Sequence, residues 1–176
     1  MKDSARLIFS QKQSPPFINQ QPNHIKDFRC DWGTFDDIKD IIINVYTNAE
    51  ATTLDVDVVF RRCPIWPSQQ QSFIVQWNNL FYIDHNAPFG AVSSGSVFER
   101  VADAMTAVLK SKGFCPVKNW VDNFVFFRFP LSPVDNPPNF SYSLINLYDL
   151  AACLGWPWKP SKAKLFASEF KYLGFT

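Results

Sequence analysis

Thr52-Thr53-Leu54-Asp55-Val56-Asp57-Val58-Val59-Phe60 is a β-branched, mostly apolar run that reads as a buried strand. Asp55 is set into it. A carboxylate there costs several kcal/mol of desolvation unless it is paired, bound to a metal, or placed at a strand end in water. Further along, Val117–Val121 and Phe124–Phe129 read as two strands with only Asp122-Asn123 between them. That spacing makes a tight hairpin with an acid at its tip, although Asp-Asn is also ordinary turn chemistry. A strand carrying one acid beside a hairpin carrying another places two carboxylates side by side on one sheet. Oxygen ligands of this kind hold Mg²⁺, with substrate phosphates filling the remaining positions. Two ions so held can clamp the attacking and leaving oxygens of a phosphoryl displacement.

The flanking segments supply the other layers. Upstream, Arg6-Leu7-Ile8-Phe9 is strand-like, and a loop follows at Pro15-Pro16 and Pro22. Thr34 opens a helix with Asp36 and Asp37 in its first turn and Ile38, Ile41, Ile42 and Val45 at helical spacing. Phe73–Trp77 and Leu80–Ile83 flank Asn78-Asn79, a two-residue hairpin signal. A long helix is expected from Ser96 to Lys112, with Ser96 and Glu99 as a capping box and Gly113 as its end. After a proline-rich connection comes a helix over 144–154 closed by Gly155, then Lys159, Lys162 and Lys164, and a short strand near 170–175. Helices packed on one face of an antiparallel sheet make an α+β layer fold.

Composition narrows the function classes. The chain has 176 residues with a formal net charge of +1, and 47% of them are apolar against 19% charged. That excludes disorder and a coiled coil. The near-neutral balance argues against a protein that grips long nucleic acid by itself, since neutralising several phosphates takes a basic surface. The 18 Phe, 6 Trp and 5 Tyr suit a dense core or a nucleotide site equally. Cys30, Cys63, Cys115 and Cys153 form no metal-ligand spacing and read as reduced thiols of an intracellular chain. No apolar run reaches a membrane span, and no signal segment follows Met1.

The motifs resemble those of retroelement (retrotransposon-type) reverse transcriptases, in order along nearly the whole chain. The run from Thr52 through Asp55 and Phe60 to Pro64-Ile65 is similar to their first palm motif, an Asp followed five residues later by an aromatic and then a Pro. Pro88-Phe89-Gly90-Ala91, leading to Phe98, resembles the second, a glycine turn into a long helix. Trp120-Val121-Asp122-Asn123-Phe124 is similar to the aromatic-x-Asp-Asp hairpin. Leu154-Gly155 with the lysines to Lys164, then Phe170–Phe175, resemble the closing motifs. Lys2–Ile8 is similar to the basic fingers strand and Phe17-Ile18-Asn19 to the segment after it.

The resemblance implies a polymerase palm-like sheet over 51–176, with partial fingers and a helix leading into the palm over 1–50, the whole forming one compact unit without a thumb. It implies Asp55 and Asp122 as catalytic ligands of Mg²⁺ (or Mn²⁺), with the Val56 carbonyl and Asn123 beside them. Lys2 and Arg6 would meet the triphosphate, and Phe60 would lie under the sugar unless it is plain core packing. Phe89 and Gly90 would sit by the nascent base pair. Lys162 best matches the lysine near the pyrophosphate, with Lys159 and Lys164 as alternatives. The implied partners are an RNA or DNA template with its primer and deoxynucleoside triphosphates, with missing polymerase regions supplied by a longer polyprotein. Asn123 departs from the pattern, an amide where the family carries a second acid. Two functions therefore stand: a fragment of an RNA-directed DNA polymerase, or a catalytically inactive remnant or nucleic-acid-binding module.

Overall fold

The structure, a computed structural model, describes residues 30–44 and 48–174. Lys2, Arg6, the strand expected at 6–9 and the segment at 17–19 lie outside the described residues. A three-stranded antiparallel sheet runs in the order β1 (Glu50–Asp55), β5 (Asn123–Arg128), β4 (Val117–Trp120). A separate two-stranded sheet pairs β2 (Ile74–Trp77) with β3 (Leu80–Ile83). Among the described residues three α-helices accompany them: α1 (Phe35–Ile43), α2 (Val92–Ser111) and α3 (Leu144–Leu154).

The middle strand explains the layering. Phe124, Val125, Phe126 and Phe127 are all buried, so β5 has two apolar faces to cover rather than one. Residues opposite one another in an antiparallel ladder share a face. Register therefore puts Thr53, Val125 and Lys118 on one side and Leu54, Phe124 and Asn119 on the other. On the first side, Ile38 of α1 packs with Ala51, Val125, Phe127 and Tyr172, and Lys118 Nζ stands 3.3 Å from Asp37. On the second, Trp158 meets Phe124 edge-on at 5.2 Å, and Phe98 of α2 lies 6.5 Å from Trp156. Thr106 of α2 also donates to the Asn119 side chain at 3.2 Å. The α+β class holds, but α1 and α2 cover opposite faces of the sheet where helices on one face were expected.

Other boundaries moved for local reasons. β1 ends at Asp55 instead of running to Phe60, because the chain turns at Val58 (φ +48°) into a 3₁₀ turn over Val59–Arg62. α2 starts at Val92, four residues before the expected cap. Ser96 Oγ instead donates to the Ser93 carbonyl, and the Glu99 carboxylate accepts from the Asp31 amide. α3 spans the expected residues, with Ser143 accepting from the Asn146 amide and Gly155 left-handed at φ +66°. Where a strand was expected near 170–175, the described residues show a bridge at Tyr172 instead.

The described residues group into two compact units, 31–59 with 98–174 and Cys30 with 60–97. The second carries the β2–β3 hairpin, whose Asn78 and Asn79 take φ +49° and +60° as a two-residue turn requires. None of the described helices is long and apolar enough to cross a membrane.

Candidate functional site

Asp55 is positioned by backbone bonds on both edges of its strand. On the hairpin side, the Val56 amide donates to the Asp122 carbonyl at 2.8 Å. On the other side, the Asp57 amide donates to the Pro157 carbonyl and the Lys159 amide to the Asp55 carbonyl, each at 2.8 Å. Asp55 thereby pairs in register with Asn123, and Asn123 with Trp120 across the hairpin. The strand acid and the hairpin tip share one end of the sheet.

The same Trp156–Lys162 segment delivers a cation to that end. After a 3₁₀ turn over Pro160–Lys162, Lys162 Nζ donates to Asp55 Oδ1 at 3.1 Å. The carboxylate is 15% exposed and the lysine side chain 54%. The Asp55 hydrogen bond and charge hold the Lys162 ammonium above its ordinary range, and the Asp122 charge adds to them. Both acids therefore act on one cation. Lys159 Nζ instead stands 3.8 Å from Asp57, and Lys164 contributes its backbone carbonyl to the Thr52 hydroxyl at 2.6 Å. Of the three lysine side chains, that of Lys162 is the one hydrogen-bonded to the Asp55 carboxylate.

The hairpin turn is Val121-Asp122, one residue earlier than Asp122-Asn123, so Asn123 belongs to β5. The two-residue turn forces Val121 to φ +52°, a left-handed conformation that costs a β-branched residue roughly 1–2 kcal/mol. Asn123 carries a second cost. Its Oδ1 is buried with no hydrogen-bond partner, while its backbone carbonyl accepts from the Tyr172 hydroxyl at 3.3 Å. Among the described residues no three His, Cys, Asp or Glu side chains gather into a metal cage. The donors at this end are the Asp55 and Asp122 carboxylates and the Asn123 amide oxygen, all hard oxygens.

Phe60, Phe89 and Gly90 belong to the other unit. Phe60 is half-buried and meets Phe89 edge-on, with ring centroids 5.7 Å apart. Phe89 is 77% exposed. Gly90 has φ +89° with open space where a side chain would stand, so its backbone rather than crowding calls for glycine.

No family model and no curated protein matches the sequence. Among solved structures, the foamy viral protease-reverse transcriptase in complex with dsDNA aligns at a TM-score of 0.57, with 20% identity over 78% of this chain. The fold is reverse-transcriptase-like. The same viral protein in complex with an RNA/DNA hybrid aligns at 0.54, with 21% identity over 76% of this chain. The chain spans only 26% of the length of the first of these structures and 17% of the second. Within this fold, two features went unread in the sequence. The Asp57–Lys159 pair was signalled by Asp57 sharing strand parity with Asp55. The strained Val121 was signalled by a two-residue turn that lacks Gly or Asn at its first position.

Proposed function

We propose that this chain is the fingers–palm portion of a retroelement reverse transcriptase, an RNA-directed DNA polymerase that adds deoxynucleotides to a primer 3′ end. The observation that carries the reading is the register of Asp55 against Asn123, continued by the Val56–Asp122 hydrogen bond, at one end of the sheet in a reverse-transcriptase-like fold. The donor set fits Mg²⁺ or Mn²⁺. Asp55 and Asp122 would be the charged ligands, the Val56 carbonyl would assist, and the orphaned Oδ1 of Asn123 is an acceptor in need of a partner. Such ions, when bound, stabilise charge on the attacking and leaving oxygens.

The remaining roles are those that the resemblance implies. Lys162 would offset charge on the departing pyrophosphate. Phe60 would lie under the sugar, and Phe89 and Gly90 beside the base pair, with Lys2 and Arg6 on the triphosphate. The polymer substrate would be an RNA or DNA template with its primer. A second reading, an inactive remnant or a nucleic-acid-binding module, draws on Asn123, which brings an oxygen but no charge.

Primer extension by the purified chain, with an Asp55→Ala control, separates the two. Incorporation that the control loses supports the polymerase. Duplex binding without incorporation, unchanged in the control, supports the binding module.

A further inference from the structure

We infer that Lys162 is a built-in counter-ion of the acidic end of the sheet, so that a divalent cation enters there only by exchange with its ammonium. The inference deepens the metal-binding reading above and rests on it. Lys162 Nζ already occupies a coordination direction of Asp55, at 3.1 Å from Oδ1. Its arrival is built into the backbone. Val56 bridges Trp158, and the Lys159 amide bonds the Asp55 carbonyl at 2.8 Å, three residues before the ammonium. So short a tether keeps the lysine's effective concentration at the carboxylate high.

The burial is asymmetric. Asp55 is mostly covered, whereas the Lys162 side chain is mostly in water. The anion is fixed by the sheet, and the cation can swing out without unfolding anything. Charge completes the argument. Asp55 and Asp122 bring two negative charges, Asn123 none, and Lys162 cancels one. The neighbouring Lys159 offers no replacement, because its own partner is Asp57 at 3.8 Å. Asn123 and Lys162 thus act in the same direction, both lowering the affinity of the site for a free metal ion.

The test is a Mn²⁺ titration of the full chain, reading free Mn²⁺ by its electron paramagnetic resonance signal. The wild type is compared with Lys162→Gln, Lys162→Arg and Asp55→Asn. Removing a mostly exposed ion pair should tighten Mn²⁺ binding about twofold to fivefold in Lys162→Gln. Lys162→Arg keeps a cation and should stay near the wild type, and Asp55→Asn should lose binding. In the wild type, the Lys162 ε-methylene NMR signal should shift as Mg²⁺ is added. Equal Mn²⁺ affinities for wild type and Lys162→Gln would overturn the exchange and leave the metal site standing. An ε-methylene signal that does not move at saturating Mg²⁺ would do the same, even if the Gln variant fails to fold. Absence of binding in every protein would overturn the metal reading, and the exchange with it.

Discussion

At position 123 an amide stands where a third carboxylate would crowd Asp55 and Asp122. Replacing it, as Asn123→Asp, keeps the size and adds a charge. The metal-free protein should lose roughly 1 kcal/mol to like-charge repulsion, while the stabilisation gained from Mg²⁺ should grow. Thermal unfolding with and without Mg²⁺ reads both effects, and a variant that leaves both unchanged would mean that residue 123 does not face the acids. Val121 is the second position where one residue works against the fold. Asn tolerates the left-handed region, so Val121→Asn should stabilise the protein by about 0.5–1 kcal/mol in urea unfolding. A loss of stability would show that Val121 contributes more through packing than it costs in strain. The identities of both residues are plain in the sequence. Their energetic states are not, because the burial of Asn123 Oδ1 and the turn that strains Val121 depend on exact register, which the sequence reading placed one residue late.

Helix α1 is anchored at its start by a reciprocal cap. The Thr34 amide and hydroxyl both donate to Asp37 Oδ2, at 2.6 and 3.0 Å, and Lys118 approaches its other oxygen. The Thr34 hydrogen bonds, and then Lys118, hold the Asp37 carboxyl below its ordinary value of 3.8. A lowered carboxyl contributes stability above pH 3.8 that is lost as pH falls through the folded value. Asp37→Asn should therefore be less stable at neutral pH by roughly 0.3–1 kcal/mol, after solvent screening. The gap should begin to shrink as pH falls past 3.8 and close only below the lowered folded value; a gap that does not shrink at all in acid denaturation down to about pH 2 would place the effect in packing. Elements differ in how readable they are for the same kind of reason. α3 was legible to the residue, since Ser143 and Gly155 bound a short helix with local caps. α2 was not, because Ser96 and Glu99 satisfy a capping pattern yet spend their side chains on Ser93 and Asp31. The opposite-face placement of α1 and α2 was foreshadowed by the unbroken apolar run of β5, which alternation-based reading takes for one buried face.

Across the whole molecule, 17 basic residues stand against 16 acidic ones, and several lysines are already committed to acids of the same chain. The near-neutral balance leaves little net positive charge for phosphates. Binding to a primer–template duplex should be weak and should fall steeply between about 50 and 200 mM salt, as fluorescence anisotropy would record. Tight binding that ignores salt would locate a nucleic-acid surface that this charge balance does not foresee. The order of elements along the chain was legible from periodicity and turn residues, but the grouping of 60–97 apart from the three-stranded sheet was not, since it depends on contacts far apart in sequence. That grouping leaves a visible trace in the β2–β3 ribbon, where Ile74, Leu80, Phe81, Tyr82 and Ile83 are all exposed. Among the described residues each strand of the ribbon has one ladder neighbour, and its other edge of amides and carbonyls runs alongside greasy side chains. The practical outcome is colloidal. In concentrated stocks the protein should cloud and shed mass by ribbon-to-ribbon stacking long before its fold melts, and a lysine in place of Phe81 should keep such a stock clear.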